Sequence, residues 1–225
     1  EIGVRLVGSE MCIRDSLKGG LTKEVAARQS RQTGVNYGLA INCGIGFSIT
    51  NDTELYNYLD TMRTQPFILA MQAEGREWVT TFSEAARNSF DYVFTDAMTF
   101  LDHKGRRTHL WVNKEVIIDD EQAYMDMMLD RICSVLEEPV DMYVNSCFLP
   151  DAMSDRYDMF WTEERIDRFV NALAKSGKAL EINELYHIPN KAIIQKAKAA
   201  GVKFTFGSNN ITPEVGTLDY CIRMK

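Results

Sequence analysis

The stretch LEINELYHIPNKAIIQKAKAAGVKFTFGSNN (Leu180–Asn210) decides the fold. A short apolar run ends in acid and amide residues and is followed by Asn190, a residue type that favours a helix N-cap. Apolar residues then recur at helical spacing as far as Gly201, which sits where a helix C-cap belongs, and a second apolar run ends in Ser208, Asn209 and Asn210. Strand, helix and strand in so short a space form the repeating unit of a parallel sheet.

The same alternation extends through the chain. With the two in that stretch, the apolar runs are Tyr37–Cys43, Pro66–Gln72, Asp91–Met98, Val140–Cys147, Lys178–Asn183 and Lys203–Ser208. Most are continuously apolar, the signature of strands covered on both faces. Thr22, Thr53, Thr162 and Asn190 stand where N-caps are expected, and Gly34, Gly177 and Gly201 where C-caps are expected. Ile166, Phe169, Val170 and Leu173 give the helix after Thr162 a single apolar stripe, and Met125, Met127 and Met128 read as core filler. Six strands are visible, and the helix predicted over Thr22–Thr33 needs a strand before it. The fold expected is α/β, a distorted TIM-like barrel of seven βα units forming one domain over residues 17–225. Leu101–Asn113 is too long and polar for an ordinary connection and is expected to loop over the barrel mouth. Leu218–Lys225 begins a helix that stops without a cap, so truncation is expected there.

Residues 1–16 read differently. Val7–Ser16 (VGSEMCIRDS) resembles the conceptual translation of a sequencing adapter, GTG-GGC-TCG-GAG-ATG-TGT-ATA-AGA-GAC-AG. Residues 1–16 are therefore expected to be adapter-derived and left out of fold reasoning, with the first strand lost at the junction. Setting them aside changes 25 basic against 32 acidic residues to 23 against 29, a net of −6 instead of −7. Such a chain has no electrostatic footprint for nucleic acid or an anionic membrane. No apolar run approaches the roughly 20 residues of a membrane span. A cytoplasmic location is the default, with export open because a signal peptide would precede Leu17. Cys43, Cys133, Cys147 and Cys221 show no metal or redox spacing and are expected to be reduced, mostly buried thiols.

In βα barrels, functional residues stand at the C-terminal ends of the strands. Here those ends offer Asn42, Gln72 with Glu74, Asp96, Asn145, Glu181 with Asn183, and Ser208 with Asn209 and Asn210. Buried carboxylates at several strand ends require partners, a metal or one another.

The motifs Leu180-Glu181-Ile182-Asn183, Ala192–Gly201 and Gly207-Ser208-Asn209-Asn210, with Asp91-Tyr92-Val93 and Glu74, resemble the PHP (polymerase and histidinol phosphatase) superfamily of metal-dependent hydrolases. The resemblance implies a seven-unit barrel and a metal-dependent hydrolase of a phosphoester or amide-type small molecule. Glu74, Asp96 and Glu181 would be metal ligands, with Asp96 the ligand or general base. One or two divalent ions (zinc, manganese or iron) would be held, because Met98, Asn145, Asn209 and Asn210 stand where the family places further ligands. A His-x-His motif would precede Leu17, and the chain as it stands is expected to be inactive. Substrate contacts are assigned to Lys18, Arg76, Asn145, Asn183, His187, Asn209 and Asn210. His103 and His109, and the basic Lys104, Arg106 and Arg107, fall in the polar connection, where solvated side chains are the rule. An amidohydrolase-type barrel would carry a lysine or histidines at later strands that are absent here. The alternative reading is a non-catalytic barrel whose amide-lined mouth binds a polar small molecule, since side-chain amides offer paired donors and acceptors.

Overall fold

Parallel pairing of the short apolar runs produces an α/β barrel, the coarse architecture expected from the sequence. The protein is described by a computed structural model over residues 10–12, 21–34, 37–64, 67–102, 104–210, 212–213 and 216–224. Lys18 and His103 lie outside these residues. The strands are β1 (Glu10–Cys12), β2 (Gly38–Cys43), β3 (Ile68–Ala73), β4 (Tyr92–Thr95), β5 (Thr99–Leu101), β6 (Arg107–His109), β7 (Met142–Tyr143), β8 (Ala179–Asn183) and β9 (Phe204–Gly207). The closed order is β1-β2-β3-β4-β7-β8-β9, every pair parallel, with β5 and β6 as a separate antiparallel hairpin.

Register decides which side chains meet. Ala40 lies opposite Ala70 and Ala70 opposite Tyr92, while Asn42, Gln72, Phe94 and Met142 follow one another across four strands. Successive side chains of a strand point to opposite faces. One set, Ala40, Ala70, Phe94, Met142 and Val144, forms a buried cluster of its own. The other set, including Leu39, Ile41, Leu69, Met71 and Val93, packs with Leu55, Leu59 and Met62 of the helix Asp52–Met62. In β2 and β3 the strands that read as continuously apolar thus alternate between small or polar residues (Ala40, Asn42, Ala70, Gln72) on one face and large aliphatic residues on the other. On the opposite flank, Leu129 and Ile132 of Glu121–Val135 and Phe169, Val170 and Leu173 of Glu163–Ser176 bury against Leu180.

Several boundaries differ from expectation. The place of the missing first strand is taken by Glu10–Cys12, paired with Gly38–Ala40 and, through Glu10, with Gly207. This segment lies within the residues read as adapter-derived. Ladder bonds are made by backbone groups, so an extended segment can complete an open edge irrespective of its side chains. Thr53 is inside its helix, and Asn51 is the N-cap, its side chain accepting from Glu54 N while Glu54 Oε2 accepts from Thr50. Thr22, Thr162 and Asn190 cap as expected, and Gly34 and Gly177 adopt φ of +70° at helix C-termini. Leu101–Asn113 falls largely within a hairpin of β5 and β6, followed by a 3-10 turn at Asn113–Glu115. Its tip is organised by Asp102, whose carboxylate accepts from Lys104 N, Arg106 N and Arg106 Nε. Among the described residues no helix is long and apolar enough to cross a membrane.

Candidate functional site

The sequence places acids and amides at the C-terminal strand ends, and register brings them into two connected groups. In the first, Glu74 leaves the end of β3 and is 2% exposed. Its Oε1 accepts from Asn42 Nδ2 and from Gln72 Nε2 at 2.8 Å, and its Oε2 accepts from Thr99 Oγ1 at 3.3 Å. The neighbouring Cys43 thiol is pushed well above its ordinary range by burial, with the Glu74 charge adding to the effect. Gly44 makes room for this strand end: a Cβ there would lie 2.3 Å from the Glu74 carbonyl oxygen.

In the second group Asn145 is the hub. Its Nδ2 donates to Asp96 Oδ2 at 2.7 Å, and its backbone N–H donates to Glu181 Oε2 at 2.7 Å. Its Oδ1 accepts from Asn183 Nδ2 at 3.1 Å and from Asn209 Nδ2 at 3.3 Å. Asn183 Nδ2 also donates to Glu181 Oε2 at 3.0 Å. Asp96 Oδ1 accepts from Met98 N, and Ser146 Oγ donates to the Glu181 carbonyl. All five hub residues, Asp96, Asn145, Glu181, Asn183 and Asn209, are buried. In a low-dielectric setting such bonds polarise one another, and losing one partner leaves a costly unpaired group.

Backbone conformation assembles this hub. Asn145 and Asn209 adopt φ of +47° and +46°, in the left-handed region where asparagine is among the few tolerated side chains. The turn at Asn145 ends β7 after two residues and aims the amide N–H at Glu181. At Gly207 a Cβ would stand 1.8 Å from Glu181 Oε1, so only glycine lets that carboxylate lie against β9.

Arg76 bonds none of the hub's side chains. Its guanidinium pairs with Glu138 Oε1 at 2.8 Å and donates from Nη2 to Thr95 Oγ1 and the Asp96 carbonyl, both at 3.0 Å. Glu138 also accepts from Trp78 Nε1 at 2.7 Å. Burial raises the Glu138 carboxyl above its usual value, partly opposed by Arg76. The Arg76 guanidinium thus braces the end of β4 on which Asp96 stands. His187, exposed with φ of +54°, stacks on Tyr220 at 4.8 Å and 19°. Asn210 orders its own loop, its Nδ2 donating to the Thr212 carbonyl and its Oδ1 accepting from Thr212 Oγ1 and Gly216 N. Neither joins the amide hub, because in each case the chain has already turned away into a loop.

The hairpin also closes on the barrel mouth. Arg107 pairs with Glu77 at 2.7 Å, Thr99 reaches Glu74, and His109 bonds Glu115 at 2.6 Å while its ring meets Phe47 and Trp111. Thr99 and the brace Glu138 are not foreseen from the sequence, and Gln72 is named there among the polar strand ends without a role. Gln72 has a signal, its period-two position before Glu74; Glu138, 62 residues from Arg76, has none.

The metal ions implied by the PHP resemblance fit this donor set poorly. Among the described residues no three or more of His, Cys, Asp and Glu gather as a metal-holding group. The Asn145 and Asn183 amide N–H groups are directed at the Asp96 and Glu181 carboxylates, and an amide nitrogen is a donor where a cation requires an acceptor. What the arrangement offers is acceptors and donors in alternation at buried strand ends.

No family model matches this chain, and no curated protein matches it either. Among solved structures, the catalytic domain of a mannanase from Streptomyces sp. SirexAA-E matches over 95% of this chain and 79% of its own, with 11% identity and a TM-score of 0.37.

Proposed function

We propose that the C-terminal end of the barrel is a pocket in which side-chain amides and buried carboxylates recognise a polar small molecule. The observation that carries this reading is the Asn145 hub, which joins Asp96, Glu181, Asn183 and Asn209 in one buried hydrogen-bonded set. A ligand group that both donates and accepts, such as a hydroxyl or a carboxamide, can bond a carboxylate oxygen and an amide N–H together. Buried polar sites discriminate strongly, because an analogue lacking the matching group leaves a site group unpaired. The two left-handed asparagines fit the same reading, since strained backbone concentrates at ligand sites.

A metal-dependent hydrolase is the second reading, favoured by Glu74, Asp96 and Glu181 standing buried at the ends of three strands. The seven-unit PHP-type architecture belongs with it, and the parallel barrel is consistent with that part. Elemental analysis and calorimetric titration with zinc and manganese separate the two readings. The amide pocket predicts less than stoichiometric metal after dialysis and no saturable cation binding. Stoichiometric metal lost in Glu181→Gln and Asp96→Asn would replace it with the hydrolase.

A further inference from the structure

Beside the amide hub lies a cleft of about 390 Å³. Its walls are Trp111, Phe148, Tyr157 and Tyr186, with Asp151 and Ser154 at the rim. That volume is within the range of small-molecule sites, which run from about 300 to 1,000 Å³. The cleft is built by the same loops as the hub. Phe148 N–H donates to the Asn145 carbonyl, and Tyr186 N–H donates to Asn183 Oδ1 at 3.0 Å. Phe148 and Tyr186 meet edge to face with centroids 4.9 Å apart, and Trp111 is held from the other side by the His109 ring at 5.0 Å. All four rings are partly exposed.

Resting on the amide-pocket reading, we infer that this cleft is a subsite for a neutral sugar ring, whose hydroxyls reach the Asn145 hub. Aromatic walls offer flat apolar surface to the C–H face of a pyranose. Charge decides against other occupants. Asp151, Asp96 and Glu181 put carboxylates at the rim and in the hub, and among the described lining residues there is no Lys, Arg or His. A phosphorylated ligand would meet repulsion with no cation to offset it. Each sugar hydroxyl is at once donor and acceptor, the pattern that alternating carboxylates and amides require.

The three tryptophans supply the assay. Trp78 and Trp161 are buried, so Trp111 is the partly exposed reporter of acrylamide quenching. Titrating the full chain with methyl β-glucoside and cellobiose at millimolar concentration is expected to shield Trp111 and reduce quenching severalfold. Glucose 6-phosphate and adenosine are expected to have no effect. Tyr186→Leu keeps the reporter and is expected to weaken sugar binding about tenfold, a loss of about 1.4 kcal/mol. Asn145→Gly, which retains the left-handed backbone, is expected to abolish it. Equal or better shielding by the phosphate or the nucleoside overturns the inference. A polar probe that binds through Asn145 without altering Trp111 overturns it too, while leaving the amide pocket standing. No binding by any probe removes both.

Discussion

Gly207→Ala tests the packing of the hub with a single methyl group. The added Cβ would lie 1.8 Å from Glu181 Oε1 and 2.6 Å from its Cδ, so the carboxylate must move. A flexible carboxylate on the surface would swing aside at little cost. This one is 3% exposed, and its Oε2 is held by Asn145 N–H at 2.7 Å and Asn183 Nδ2 at 3.0 Å. Overpacking costs about 1–3 kcal/mol, and loss of one hydrogen bond to a charged group costs about 1.5–3 kcal/mol. Together they give about 3–5 kcal/mol, which lowers the melting temperature of a chain this size by roughly 10 °C. Thermal denaturation of the purified protein measures it. The double-mutant cycle with Glu181→Ala assigns the cause: once the carboxylate is gone, the methyl should cost less than about 1 kcal/mol. A Gly207→Ala variant that melts within about 2 °C of the parent would refute the close approach of Glu181 to β9.

Other expectations follow from the brace, the hairpin tip and the thiols. Arg76→Met should destabilise by about 2–4 kcal/mol in chemical denaturation, because it leaves the largely buried Glu138 without its cation. Glu138 titrates above its unfolded value of 4.5 because of burial, so its stabilising contribution is full below that value and is lost as pH rises through the folded value. Stability profiles of Glu138→Gln and parent should therefore shift in favour of Gln as pH rises from 4.5, and parallel profiles would contradict this. Asp102 behaves oppositely: hydrogen bonds from Arg106 hold it at about 2, against an ordinary 3.8. Its contribution is present above 3.8 and lost as pH falls towards 2, so Asp102→Asn should remove that part of the acid sensitivity. Burial raises the thiols of Cys43, Cys147 and Cys221 far above neutrality, so iodoacetamide mapping of the native protein should spare all three.

Much of the barrel is legible in the sequence because strands, helix caps and apolar stripes are local patterns. The helix from Glu163 is fixed by Thr162, Gly177 and one apolar face, all within a few turns. The hairpin Thr99–His109 is not legible, because its segments are short, mostly polar and held by Asp102 and by contacts to Glu77 and Glu74. The face-to-face alternation was hidden because alanine and glycine count as apolar wherever they point. At the site, the types and the strand-end positions of Asp96, Asn145, Glu181, Asn183 and Asn209 are visible in the chain. Their pairing is not, since Asp96 and Asn145 are 49 residues apart and Asn145 and Asn209 are 64 apart. Arg76 misleads for the same reason: its neighbours Glu74 and Glu77 suggest local pairs, while its partner comes from beyond the helix Glu121–Val135.

The most direct test of the amide pocket is a thermal-shift screen of polar organic molecules and divalent cations, run in parallel on the parent chain and Asn145→Gly. The account predicts that at least one neutral polar molecule raises the melting temperature of the parent and leaves that of Asn145→Gly unchanged. Stabilisation confined to divalent cations, or equal in both proteins, would contradict it.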